Sequence, residues 1–150
     1  MHADGHAGQA AASRIGLATS ATAHCLAGCG VGEVVGVVIG VSLGLSRFGT
    51  MSLAVSLGFV FGFALGMLPL LRAGFSTKRA FRQVLIAEGL SILVMETAEV
   101  IVELNTPGVM TGGLSSPVFW LGMGAALLAG FVAAWPVNYW LIGRGVTHVH

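Results

Sequence analysis

Residues 24–45 read HCLAGCGVGEVVGVVIGVSLGL, with glycine at 28, 32, 36, 40 and 44 in a run that is otherwise almost wholly apolar. A residue repeated at every fourth position keeps to one face of an α-helix, so the spacing predicts a helix with a bare stripe that another backbone can approach closely. Beside that stripe runs a second one, Cys25, Cys29 and Glu33, which the same geometry aims along the interior of a bundle. Two thiols and a carboxylate are costly groups to place in an apolar helix.

Working outward, the chain has 150 residues, 55% hydrophobic and 9% charged, with a mean hydropathy of +0.90. A soluble domain is about one quarter charged, so the composition predicts an all-α, polytopic membrane protein. Apolar stretches of about 20 residues span the hydrocarbon core, and four can be read: roughly residues 18–45, 51–71, 82–104 and 117–143. Short connections make consecutive helices antiparallel neighbours in one up-and-down bundle. Residues 1–17 are expected as a flexible tail, 18–143 as the four-helix transmembrane domain and 144–150 as a short tail carrying His148 and His150.

Residues 1–14 lack the basic start and apolar centre of a cleavable signal peptide, so the first helix is expected to be retained. Arg72, Lys78, Arg79 and Arg82 lie between helices two and three, Arg14 and Arg144 flank the termini, and Arg47 stands alone on the other side. Lys and Arg mark the cytoplasmic side, which puts both termini there. Trp120, Trp135, Tyr139 and Trp140 fall at the two ends of the last span, where interfacial aromatics belong. The topology accounts for the basic loop, and a net charge of +1 gives no reason to expect nucleic acid as a partner.

Glu33, Glu88, Glu96 and Glu99 lie within the spans and Glu103 at an edge, yet no Lys or Arg occurs between Arg14 and Arg47 or between Arg82 and Arg144. An acid at the centre of a spanning helix costs on the order of 2.5–3.5 kcal/mol. Several together call for protonation, hydrogen bonds to groups such as Ser91 or Thr97, water or a bound cation. At 100° per residue from Glu88, Met95 falls at about −20°, Glu99 at about 20°, Glu103 at about 60° and Glu96 at about 80°, one inward arc. At 1.5 Å per residue, Glu33 and Glu96 lie roughly 20 Å from the cytoplasmic end, and Cys25 and Glu88 roughly 8 Å.

Two tiers follow: His24, Cys25, Cys29, Glu88 and Asn138 below, with Glu33, Met95, Glu96 and Glu99 above. Thiolates and thioethers select copper(I) or zinc, imidazole suits several transition metals, and carboxylates extend the range to harder divalent ions. The expected metal ligands are therefore His24, Cys25, Cys29, Glu33, Met95, Glu96 and Glu99, with Glu88 and Asn138 supporting them. Copper(I) suits this donor set best, and zinc or another divalent ion is the alternative. The competing use of the cysteines is as small apolar fillers, and two thiols four residues apart close no long loop, so a structural disulfide is not expected.

Gly58, Gly62 and Gly66 repeat the glycine device on helix two and read as a packing face that lets helices one and two nearly touch. The other use of such stripes is contact across a homo-oligomer axis. Pro136 removes one intrahelical bond in the last span, and Asn138 either repairs that break or offers an amide oxygen to the lower tier. His2, His6, His148 and His150 share the cytoplasmic side, where they either collect metal or are incidental.

His24-Cys25, Gly28-Cys29, Gly32-Glu33-Val34, Met95-Glu96, Pro107-Gly108, Phe119-Trp120, Pro136-Val137-Asn138-Tyr139-Trp140-Leu141-Ile142, Gly145 and His148 together resemble the family called domain of unknown function 4396. The resemblance covers about residues 20–148. It implies a small four-helix protein of the bacterial inner (plasma) membrane, with His24, Cys25, Cys29, Glu33, Glu96 and Asn138 among its signature elements. In that family an Asp-Asn pair often follows the Met-Glu element, where this chain has Glu99-Val100.

No hydrolase triad, phosphate-binding glycine loop or dinucleotide fingerprint occurs, so no enzymatic or ATP-driven role is expected. The leading expectation is an intramembrane protein, with the lipid bilayer and a metal ion as its partners, that binds copper(I) between helices one and three for transport or hand-over. In this reading the glutamates couple to protons. The alternatives are a proton or divalent-cation pathway that uses the glutamates alone, and a non-transporting subunit of a membrane complex.

Overall fold

The computed structural model describes residues 2–109 and 111–145, with side chains from residue 5 onward. Met110, His148, His150 and the side chain of His2 lie outside the described residues. Within them the chain is all-α: α1 (His2–Ser42), α2 (Arg47–Arg72), α3 (Thr77–Asn105) and α4 (Pro117–Gly143). Three of these, α1, α2 and α4, are long and apolar enough to cross a membrane. In α3 the acids dilute that signal, but Glu88, Glu96, Glu99 and Glu103 are all buried, whereas Leu85, Ile86, Leu90, Leu93 and Ile101 face outward.

Residues 2–17, expected as a tail, continue α1 as helix. Ala7, Ala10, Ala11 and Ala12 favour that state. With 41 residues α1 is roughly 60 Å long, about twice the thickness of a bilayer core.

The first two turns use one device. Gly44 (φ 66°) and Gly74 (φ 89°) take the left-handed conformation that ends a helix. The following amides close back five residues, Leu45 N to Gly40 O at 2.9 Å and Phe75 N to Leu70 O at 3.1 Å. Ser46 and Ser76 then cap α2 and α3, accepting from the amides of Gly49 (3.1 Å) and Arg79 (3.4 Å). Two residues thus reverse the chain and start the next helix.

The α1 glycines pack on the backbone of α2. A Cβ at Gly28 would sit 3.0 Å from the Gly62 Cα, one at Gly32 would strike the Leu57 carbonyl, one at Gly36 the Ala54 backbone and one at Gly40 the Thr50 side chain. The α2 partners fall in number as the α1 positions rise, so the two helices run antiparallel. Helices α1 and α4 are clasped near one end of the bundle. There Arg14 donates to the Tyr139 carbonyl (2.7 and 2.9 Å) with its guanidinium 3.9 Å from the Tyr139 ring centroid. Trp135 donates to the Thr19 hydroxyl at 3.0 Å, and Asn138 donates to that of Thr22 at 2.9 Å.

Contacts join α1 to α2, α2 to α3, α3 to α4 and α4 to α1, leaving α1 and α3 to face each other across the centre. The Arg14 end also carries Arg72, Lys78, Arg79, Arg82 and Arg144, whereas Arg47 bonds the Leu104 carbonyl (2.5 Å) at the other.

Gly32→Ala and Gly36→Ala should each destabilise the protein by about 1–3 kcal/mol, because a methyl there meets backbone that cannot move aside. Gly16→Ala has open space around it and should be neutral or stabilising. Thermal or denaturant unfolding in detergent measures the difference.

Candidate functional site

The interior between α1 and α3 is organised by what the other two helices lack. On α4 the buried positions Gly122, Ala126, Gly130, Ala134 and Asn138 recur every fourth residue, and on α2 so do Ala54, Gly58, Gly62 and Gly66. A Cβ at Gly58 would collide with the Glu96 carboxylate, one at Gly130 with that of Glu99 and one at Gly62 with the Cys29 sulfur. At Gly66 it would lie 2.7 Å from a Glu88 oxygen. These glycines make room for the carboxyl and thiol side chains of α1 and α3.

Into that room project Glu33 from α1 and Glu96, Glu99 and Glu103 from α3, none more than 2% exposed. One oxygen from each of Glu33, Glu96 and Glu99 lies within 4.8 Å of the other two. Glu33 also adjoins Glu103. Among the described residues, no N–H or hydroxyl group donates to the carboxyl oxygens of these four acids, and Glu33 lies within hydrogen-bonding reach of Glu99 and Glu103 alone. The Ser91 hydroxyl, fully buried, is likewise unpartnered. A buried carboxyl without a partner is strongly unfavourable, so four of them need a compensating positive charge or a shared proton.

One layer towards the Arg14 end, Cys25, Cys29, Ile92, Met95 and Ala134 pack together, with Leu26, Phe59 and Phe63 against them. Both cysteines are free, and their thiols are in contact with each other. Towards the opposite end, Val37, Ala54, Val109, Phe119 and Met123 form an apolar plug. The acids therefore occupy a chamber between a sulfur layer and a hydrocarbon layer.

Of the residues singled out from sequence, Glu33, Glu96 and Glu99 come together. Met95 does not join them, because it lies one position from Glu96 and so points about 100° away, into the sulfur layer. His24 diverges from Cys25 by the same angle and is half-buried. Among the described residues, His24, Cys25 and Cys29 belong to no convergence of three His, Cys or acidic ligands. Asn138 is tied to Thr22, and Glu88 faces the Gly66 gap below the chamber. Three features escaped the sequence reading: the full burial of Glu103 beside Glu33, the α4 small-residue stripe, and the use of the α2 glycines to seat side chains as well as to approach α1. The order Gly58, Gly66 against Glu96, Glu88 carried the last signal, since antiparallel helices pair rising with falling numbers.

A family model described as Domain of unknown function (DUF4396) matches residues 16–147. The chain belongs to that family. No curated protein and no solved structure matches it.

Replacing Glu99 by Met keeps the volume and removes one buried carboxyl from the group around Glu33. In chelator-containing buffer Glu99→Met should stabilise the protein by about 1–4 kcal/mol, the gain seen when buried charged groups give way to apolar ones. A loss of stability on unfolding in detergent would show that the acids serve the fold.

Proposed function

We propose that the protein is a multi-pass protein of the bacterial inner membrane that binds a divalent cation between α1 and α3, for transport or hand-over. Glu33, Glu96 and Glu99 are the ligands. The observation that carries this reading is their convergence within 4.8 Å, fully buried, with no Lys or Arg of the spans beside them. Carboxylate ligands at about 2.0–2.2 Å from a transition-metal ion can stand up to about 4.4 Å apart. The observed spread is thus within a small side-chain adjustment of a binding geometry. Carboxylates favour Mn²⁺-like ions and also bind zinc, so the geometry favours the glutamate alternative over copper(I) for this chamber.

The ion would supply the charge that the chain lacks, and its arrival would release protons from whichever carboxyls held them. Glu103 extends the chamber away from the sulfur layer as a fourth oxygen ligand or as a step on the cation's route. The role is one of binding and movement, with no bond-making chemistry. All four helices span the bilayer in an up-and-down arrangement. The outward apolar face of α3 supports this for the helix that carries most of the acids. The cluster of Arg and Lys at the Arg14 end supports a cytoplasmic location for both termini.

Titration of purified protein with Mn²⁺ or Zn²⁺, followed by calorimetry and elemental analysis, should give about one ion per chain. Affinity should fall at least tenfold in Glu96→Gln with Glu99→Gln and change little in Cys25→Ser with Cys29→Ser; equal binding by the glutamine pair rejects the assignment. A green fluorescent protein fused at either terminus should fluoresce, and alkaline phosphatase fused at the same points should be inactive.

A further inference from the structure

We infer that Cys25, Cys29 and Met95 form a second, sulfur-only site, selective for a thiophilic monovalent cation of the copper(I) type, one layer below the acidic chamber. It stands independently of the oxygen site above it. Three observations converge on it.

The two thiols are one helical turn apart on α1, free, in contact with each other, and 4% and 0% exposed. Met95 reaches the same packed cluster from α3, on the far side of the bundle centre, and is fully buried. The Cys29 sulfur occupies the gap left at Gly62, where any Cβ would strike it.

The surroundings select the ion. Ile92, Ala134, Leu26, Phe59 and Phe63 pack hydrocarbon against the sulfurs, and the glutamate oxygens stand one layer above. A hard cation keeps its water and its oxygen ligands and gains nothing here. Copper(I) sheds water readily, accepts two or three ligands and prefers thiolate and thioether sulfur. With metal–sulfur bonds of about 2.3 Å, sulfurs up to about 4.6 Å apart can share one ion, a span that thiols in contact satisfy. His24 is set about 100° round α1 from Cys25 and is left out of the proposed ligand set, so the mixed imidazole, thiol and carboxylate site expected from sequence divides into an oxygen site and a sulfur site.

The test supplies copper(I) to the full chain in detergent under reducing conditions, with bicinchoninate as competitor. One copper(I) per chain is expected, with only sulfur neighbours in X-ray absorption. Cys25→Ser with Cys29→Ser should abolish uptake, and Met95→Leu and Gly62→Ala should each weaken it at least tenfold. Glu96→Gln with Glu99→Gln should retain it, which separates this site from the chamber. In the unaltered protein, copper(I) should slow alkylation of both cysteines by N-ethylmaleimide at least tenfold, a readout that needs no variant to fold. Oxygen or nitrogen neighbours at copper, capacity unchanged in the serine pair, loss of uptake in the glutamine pair, or absence of protection overturns the inference.

Discussion

The structure depends on steric absence along two helices. Helices α2 and α4 present almost nothing beyond Cα and Cβ to the centre of the bundle at the levels of Gly58, Gly62, Gly66, Gly130 and Ala134. Lipid tails give helices no hydrophobic reason to associate, so close backbone contact and dispersion must hold them together. On α1 the glycines serve that purpose directly, laying Gly28 to Gly40 against the α2 backbone. The same closeness would leave no space for long polar side chains, and the bare inner faces of α2 and α4 restore it. Packing and chamber are consequences of one residue choice.

That arrangement explains how five glutamates can be placed in a chain of this size. Each carboxyl turned towards lipid would be unfavourable by several kcal/mol. Turned inward, the acids leave α3 an outer face of Leu85, Leu90, Leu93 and Ile101 that lipid can wet. The unfavourable electrostatics move to the bundle interior, where they favour whatever cation or proton enters.

Much of this was legible in the sequence, and the reasons differ from residue to residue. The α1 stripe was readable because a strict period of four leaves few alternatives. Glu33 and Glu96 met because residue counts give height along a helix to within a turn. Direction is harder: Met95 and Glu96 share a height but diverge by about 100°, and so do His24 and Cys25. A single inward arc about 100° wide, combined with height, placed Met95 with the acids, and adjacency in sequence placed His24 with the thiols. The α4 stripe was hidden because Gly, Ala and Asn share it, so no single residue type repeats. The helical start of α1 was obscured by Gly5, Gly8 and scattered polar residues, which read as a tail.

The layers on either side of the acids differ in kind. Towards the basic end stand sulfur and then the Asn138–Thr22 pair, all carried on helices whose ends are clasped by Arg14 and Trp135. Towards the other end the plug includes Val109, which belongs to the α3–α4 connection and is fully buried in space that Gly122 leaves open. A side chain on a connection can withdraw by a local change in backbone, whereas one on a packed helix must carry its helix with it. With both layers closed, the conformation described holds its acids away from either aqueous side. An ion bound by these acids, as proposed above, would have to pass one of the two layers, and Val109 is the plug residue that a connection rather than a helix carries.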